Sequence, residues 1–173
     1  MTANLIMDVE SVQLAADLLG TNAIDPRWAT GPFVHLKSLA PRAKGSRFEK
    51  IAEAIFKQRG LTVGRATSTD NDRTVNGDKI EIKGSTITMG SDNCFSFLQI
   101  RPRQDYDYLV LETFWFDGTV RFYRIAKADV LQLIDAKVFV PQHGGQKGHS
   151  GTYIYNGPMT PFENYYWFEV RVQ

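Results

Sequence analysis

The sequence predicts an α/β fold in which helices flank one central mixed β-sheet, and three patterns indicate it. An apolar stripe at helical spacing runs through residues 45–60, before the first predicted strands. Two strand-like segments are each interrupted by a tight-turn dipeptide, Asn76-Gly77 and Asp117-Gly118. Further helix and strand patterns follow in alternation. This order is typical of a single mixed sheet covered by helices.

The helix after residue 45 has the clearest signals at both ends. Ser46 is predicted to cap its N-terminus, and Glu49, three residues later, is predicted to return a hydrogen bond to the cap. Apolar residues recur at helical spacing from Phe48 to Phe56. Gly60 is expected to end the helix, because glycine readily adopts the conformation that follows a helix.

The other elements are predicted from the period of apolar residues and from turn residues. Strands are expected at residues 61–66, in the hairpins 72–83 and 106–125, and near 152–155 and 165–172. Helices are expected at residues 4–19, 93–101 and 127–136. Residues 26–44 and the glycine-rich segment 144–151 are expected to be loops.

Length and composition are those of one ordinary globular domain covering residues 1–173. With 43% hydrophobic and 23% charged residues, the chain can form one core without disulfides. The net charge is +1, so any phosphate-binding surface must be local. Cys94 is the only cysteine, so an internal disulfide cannot form and a zinc site would need histidine or carboxylate ligands. Without an apolar run of about 20 residues or a signal peptide, we expect a cytoplasmic protein with no membrane contact.

The residues best suited to metal binding and catalysis lie between positions 69 and 83. Side chains alternate between the two faces of a strand, so Glu81 and Lys83 are expected to stand together on one face. The Asn-Gly turn folds the preceding strand back, which brings Asp72 alongside Glu81. Two carboxylates and one ammonium group are therefore expected within a few ångströms of each other.

Such a set suits the hydrolysis of a phosphodiester bond. Paired carboxylates bind Mg²⁺ while the ion retains several waters. The ion polarises the phosphate and favours deprotonation of a bound water. A neighbouring lysine orients that water and offsets negative charge in the transition state. We therefore predict Asp72 and Glu81 as metal ligands, Asp70 as the alternative to Asp72, and Mg²⁺ as the cofactor, with Mn²⁺ as its substitute.

At these residues the chain resembles the PD-(D/E)XK nuclease superfamily. That family pairs an acidic residue at the start of one strand with a Glu-X-Lys triplet on the next, here Asp72 and Glu81-Ile82-Lys83. Glu49 matches the position of a glutamate that the family often carries on the preceding helix, so this residue is either a metal ligand or only a helix cap. The residue before Asp72 is Asn71, so the proline of the family's name is absent.

The resemblance covers about residues 45–126 and is nearest to type II restriction endonucleases. It implies a restriction-endonuclease-like core that cleaves double-stranded DNA at a short specific sequence in the presence of Mg²⁺. Asp72, Glu81 and Lys83 would then be catalytic, with Glu49 in support, and residues 127–173 would recognise DNA. Enzymes of this kind act as homodimers on palindromes or as monomers, and the sequence does not choose between these two states. A repair nuclease or junction resolvase of the same fold would also account for these residues, and so would an inactive DNA-binding module.

Polar residues near the triplet and in the tail are the candidates for DNA contact. Ser85 follows the triplet, and Gln99 and Arg101 lie on or after the helix predicted at 93–101. In the segment from Gln142 to Tyr153, glycines alternate with donors and acceptors suited to a DNA groove. A solvated helix face and a flexible surface loop would give the same two patterns without any DNA contact. The complete set of predicted DNA contacts is Ser85, Gln99, Arg101, Gln142, His143, Gln146, Lys147 and His149.

Overall fold

The computed structural model of the chain describes residues 25–142 and 151–172. Its helices in these ranges are α1 (Val34–Lys37), α2 (Pro41–Gln58) and α3 (Lys127–Asp135), with short 3-10 helices at Pro26–Trp28 and Thr160–Tyr165. Its strands there are β1 (Val63–Arg65), β2 (Arg73–Val75), β3 (Asp78–Thr86), β4 (Cys94–Ile100), β5 (Tyr108–Phe114), β6 (Thr119–Ala126), β7 (Val140–Pro141), β8 (Tyr153–Pro158) and β9 (Tyr166–Arg171). The helix predicted at residues 4–19 lies outside the described residues. None of the described helices is both long and apolar enough to cross a membrane.

A six-stranded mixed sheet with the order β1-β2-β3-β5-β6-β9 forms the centre of the fold. Strands β3 and β5 run parallel, and the other neighbours in this sheet are antiparallel. The predicted α/β class, with a central mixed sheet flanked by helices, is confirmed. The expectation of one sheet is wrong, because β4, β8 and β7 form a separate antiparallel sheet of three strands.

Helix α2 packs on the central sheet through aromatic side chains. Phe48 stacks on Phe114 of β5 with ring centroids 4.9 Å apart, and Phe56 contacts Phe122 of β6 at 5.2 Å. Gly84 of β3 makes this close approach possible, because a Cβ atom at that position would lie 2.3 Å from Cγ of Phe48. The helix is therefore held directly over the strand that carries the Glu-X-Lys triplet.

Helix α2 begins earlier than the sequence predicted. Ala40 is the N-cap residue and provides no side-chain hydrogen bond, and Pro41 occupies the first turn. Proline suits this position because the first turn needs no backbone donor and the φ angle of proline is already near the helical value. Ser46 and Glu49 consequently lie inside the helix, and the predicted capping box is wrong. The predicted stop is confirmed, since Gly60 follows the helix with a φ angle of 79°.

The segment 93–101 is a strand and not the predicted helix. Strand β4 pairs antiparallel with β8, and the register shifts between Phe97 and Ile100. Phe95, Phe97 and Ile100 are all buried. The spacing of two between the phenylalanines is that of a strand, but the irregularity then places the next buried residue three positions later. That spacing of three imitates a helix in the sequence, which explains the error.

Both predicted hairpins are confirmed. The β2–β3 turn has φ angles of 53° at Asn76 and 96° at Gly77, as a tight turn with two positive φ angles requires. The β5–β6 turn contains Gly118 with a φ angle of 86°. Helix α3 and strands β1, β8 and β9 also lie at the positions where the sequence predicted them.

Candidate active site

The candidate site lies along β3, between the part of this strand that pairs with β2 and the part that contacts β4. Strand β2 pairs with β3 only as far as Ile80. Beyond that point the hydrogen-bond acceptor is a side chain and not a β2 carbonyl: Oδ2 of Asp72 accepts a hydrogen bond of 2.7 Å from the backbone N–H of Ile82. Farther along β3, Ser85 Oγ accepts a hydrogen bond of 2.9 Å from the backbone N–H of Ser96 on β4. A cleft of about 950 Å³ opens here, lined by β3, β4 and the first half of helix α2.

Glu81 brings the candidate catalytic residues into contact. Its side chain is 7% exposed, and its Oε1 lies 2.6 Å from the ammonium nitrogen of Lys83. The carboxyl group of Asp72, which accepts from the N–H of Ile82, lies near enough to act electrostatically on it. Burial raises the pKa of Glu81 to about 7, the Asp72 charge acts in the same direction, and the Lys83 ammonium opposes both. The pair of carboxyl groups therefore has an unfavourable electrostatic environment that a bound cation would relieve.

Glu49 faces the same site from helix α2 but has a partner of its own. Its Oε2 lies 3.7 Å from Nη1 of Arg73, which also donates from Nε to Glu53 at 2.9 Å. Burial raises the pKa of Glu49 and the Asp72 charge adds to this effect, while Arg73 and Lys83 oppose it. Glu49 is therefore electrostatically coupled to the site without being a helix cap. Its role in metal binding stays a prediction.

Asp72 lines the cleft together with Lys83, whereas Asp70 is not among the residues that line it. The backbone N–H of Asp70 donates to Oγ of Ser68 at 3.1 Å, in the turn that precedes β2. The Asp72 charge raises the pKa of both Glu49 and Glu81. The geometry therefore favours Asp72 as the leading acid of the motif.

Asn71, which stands where the family motif has proline, holds the turn before β2. It is 4% exposed, and its Nδ2 donates to the backbone carbonyl of Arg73 at 3.1 Å. Its Oδ1 accepts from the hydroxyl of Thr67 at 3.0 Å. A buried amide with partners on both sides can fix the backbone here without proline. Asn71 thus helps to fix the position of Asp72. In the sequence, Asn71 could be seen only as a departure from the motif.

The described residues that were predicted to contact DNA lie on or near the cleft. Ser85 and Gln99 line it, although Ser85 is buried and bonded to β4. Gln99 has a φ angle of 57° within the irregularity of β4, and its Oε1 accepts from Arg101 at 3.2 Å. Gln142 contributes its Oε1, which accepts from the backbone N–H of Gln99 at 3.1 Å. The predicted contacts His143, Gln146, Lys147 and His149 lie outside the described residues.

Basic residues at the other end of the cleft were not predicted from the sequence. Lys37, Arg42 and Lys44 line the cleft together with Asp72 and Lys83. All three basic residues were expected in a loop, because the apolar helical period starts only at residue 48. Proline at position 41, followed by good helix formers, was the available signal for an earlier helix start.

The donor set can be compared with the needs of the expected metal ion. Within residues 25–142 and 151–172, no three or more His, Cys, Asp or Glu side chains are grouped to hold a metal. Asp72 and Glu81 form a pair. Mg²⁺ is commonly bound by one or two carboxylates, with water and substrate phosphate completing its shell. The pair therefore fits an ion that binds together with a phosphate, and it does not fit a structural metal.

Comparisons with known proteins gave one kind of match. No family model matches the chain, and no curated protein matches it. Among solved structures, the chain is similar to a bacterial homing endonuclease, I-Ssp6803I, at 17% identity and a TM-score of 0.41. The match covers 52% of this chain and 67% of the other. The function proposed below rests on the side chains of this chain.

Proposed function

We propose that this protein is a Mg²⁺-dependent endonuclease that hydrolyses phosphodiester bonds of double-stranded DNA at a short specific sequence, as type II restriction enzymes do. The observation that carries the proposal is the buried Glu81 carboxyl group, whose Oε1 lies 2.6 Å from the Lys83 ammonium. The Asp72 carboxylate is held next to it by the N–H of Ile82 and raises its pKa further. Asp72 and Lys83 line the same open cleft, so a substrate phosphate can reach them.

A purely structural ion pair would not have this arrangement. Lys79, on the same strand, forms such a pair with Asp105 at 2.6 Å, and there the carboxylate side chain is 65% exposed. Glu81 makes an equally short contact while 7% exposed and beside a second acid. Burying the Glu81 carboxyl group beside the partly exposed Asp72 costs stability unless a cation or a proton compensates. Groups with such perturbed pKa values, placed in a cleft, are typical of functional sites.

Each residue would have a distinct role in the reaction. Asp72 and Glu81 would hold the divalent ion, which when bound supplies Lewis-acid polarisation of the phosphate and a more acidic water. Lys83 would donate a hydrogen bond to the attacking water or to a phosphate oxygen and offset the negative charge that develops there. Glu49, held by Arg73, would add negative charge beside the ion-binding pair. A homodimer would place two such sites on a palindrome, one for each strand.

Cleavage of plasmid DNA of known sequence, with Mg²⁺ or with EDTA, tests the proposal. Discrete fragments that require Mg²⁺ support it. Cleavage confined to branched or damaged DNA would replace it with a repair nuclease or resolvase. Absence of cleavage with both Mg²⁺ and Mn²⁺ would overturn it and leave a DNA-binding module.

Two lysines of the same strand provide a matched pair of variants. Lys83→Ala and Lys79→Ala each remove an ammonium that lies 2.6 Å from a carboxylate oxygen. We expect Lys83→Ala to lower the cleavage rate by about 100-fold or more, the scale seen when one transition-state donor is removed. Lys79→Ala should cleave like the wild type. Equal rates for the two variants would show that the Lys83–Glu81 contact is an ordinary ion pair.

A further inference from the structure

The cleft has acidic and basic residues at opposite ends. Its acidic end contains Glu49 and Asp72, with Lys83 beside them. Its basic end contains Lys37, Arg42 and Lys44, and Asp25 is the acidic residue of the lining at this end. The hydrolytic site proposed above uses only the acidic end, so the three cations at the other end need a separate explanation.

Lys37 is fixed in the wall of the cleft. Its ammonium donates to Thr86 Oγ1 at 3.2 Å and to the Ile87 carbonyl at 3.4 Å, and it lies 5.3 Å from the centre of the Trp28 ring. Burial lowers the pKa of Lys37, and the neighbouring Lys44 charge lowers it further, while Asp25 opposes this change. Lys37 and Lys44 therefore line the same part of the cleft, and Lys37 is held there at a half-buried position.

The nearby carboxylate does not neutralise this cluster, because Arg27 already engages it. Asp25 accepts hydrogen bonds of 3.0 Å from Nε and 2.6 Å from Nη2 of Arg27. These contacts lower the pKa of Asp25 to about 2. Within the described part of the chain, Arg42 and Lys44 form no ion pair with any residue. Positive charges gathered in a cleft, where the one adjacent carboxylate is already paired with Arg27, favour the binding of an anion.

We propose that Lys37, Arg42 and Lys44 form a second anion subsite, which binds a backbone phosphate of the DNA strand whose bond is cleaved. This inference rests on the proposed nuclease function and deepens it. The separation of the two ends agrees with it. Ile82, which holds Asp72, and Thr86, which holds Lys37, are four residues apart on β3, or roughly 13 Å at about 3.3 Å per residue. Phosphates of one strand repeat at intervals of about 3.4 Å along the helix axis, so the subsite reaches a phosphate roughly four nucleotides away.

The subsite would position the strand before any metal ion binds. The acidic pair repels a phosphate as long as no cation screens it. A cationic subsite at the far end of the cleft attracts the strand in spite of this repulsion, and it reads no base sequence. Its contribution to binding should therefore be the same for cognate and scrambled DNA.

Binding of labelled duplex DNA to the full chain, followed by fluorescence anisotropy in Ca²⁺ at several salt concentrations, tests the subsite. The test variant is Arg42→Gln/Lys44→Gln. The matched control is Lys57→Gln/Arg59→Gln, which removes two positive charges at the opposite end of helix α2. Lys57 and Arg59 are exposed and outside the cleft. Thermal unfolding of each variant checks that the fold is retained.

We expect the test variant to bind cognate and scrambled duplexes more weakly by the same factor. The slope of the logarithm of the binding constant against the logarithm of the salt concentration should become shallower by about one unit. The control should keep the wild-type slope. Wild-type binding by the test variant, or weakening of cognate binding alone, would overturn the subsite. The two proposals can fail separately. If the wild type cleaves no DNA but the test variant shows the expected change of slope, the nuclease proposal is refuted and the DNA-phosphate subsite is supported.

Discussion

Glu112 is a carboxylic acid buried in the middle of the central sheet. It lies on β5, opposite Gly84 of β3 and Phe122 of β6. Its side chain is 0% exposed, and neither carboxyl oxygen has a hydrogen-bond partner in the described part of the chain. Burial raises the pKa of Glu112 well above its ordinary value of 4.5. The folded protein therefore keeps this acid neutral over a pH range in which the unfolded chain ionises it.

This difference makes stability depend on pH with a defined sign. The contribution of Glu112 to the free energy of unfolding is fully present below pH 4.5, the ordinary value. It is lost as the pH rises from there to the raised pKa, by about 1.4 kcal/mol for each pH unit. Glu112→Gln has no proton to take up on folding. The stability of this variant relative to the wild type should therefore increase with pH at nearly that rate.

Urea unfolding at about pH 5, 6 and 7 measures the effect for Glu112→Gln and for Glu112→Leu, which has no buried polar atom. Glu53→Gln is the control. Hydrogen bonds from Lys57 and Arg73 lower the pKa of Glu53 below its ordinary value of 4.5, so it is largely ionised in both states across this range, and its variant should show no such increase with pH. If the stability difference for Glu112→Gln did not change between these pH values, the burial argument would be wrong.

Three further predictions concern the site and its supports. Lys83→Ala should lose cleavage while keeping sequence-specific binding in Ca²⁺, because the lysine serves the reaction more than affinity, and retained cleavage in a plasmid assay would contradict this. Gly84→Ala should lower the free energy of unfolding by about 1–3 kcal/mol, because its Cβ would lie 2.3 Å from Cγ of Phe48. Urea unfolding of the double variant with Phe48→Leu should show that part of this loss is recovered. His143→Ala should weaken binding to a cognate duplex more than to a scrambled one, whereas Lys147→Ala should weaken both alike; wild-type binding by both variants would place recognition elsewhere.

The arrangement of the acidic pair was predictable because it depends on local rules. An Asn-Gly turn fixes the register of the β2–β3 hairpin, and strand alternation places Glu81 and Lys83 on one face. The choice between Asp70 and Asp72 could not be made from the sequence, since it depends on the residue at which β2 begins. Asp72 directly precedes the first residue of β2, where its carboxylate accepts a hydrogen bond from the N–H of Ile82. This is a property of the assembled sheet.

The opposite wall of the cleft could not be predicted, because it depends on contacts between distant segments. Strand β4 pairs with β8, about 60 residues later in the chain, and its irregular register gives a spacing of apolar residues that imitates a helix. The first turns of α2 gave no apolar pattern, since Pro41, Arg42 and their neighbours are largely exposed. Residues that line a polar cleft lack the periodic burial that makes an element visible in a sequence.

The two ends of the cleft also reconcile a net charge of +1 with the proposed binding of DNA. A site that hydrolyses a phosphodiester must bring carboxylates close to a phosphate, which repels them until a divalent ion intervenes. Cations at Lys37, Arg42 and Lys44 oppose this repulsion locally, at the end of the cleft away from Asp72. The charges nearly cancel in the sum over the chain but are separated along one groove. For the proposed nuclease, the separation of charge within the cleft carries more information than the total charge.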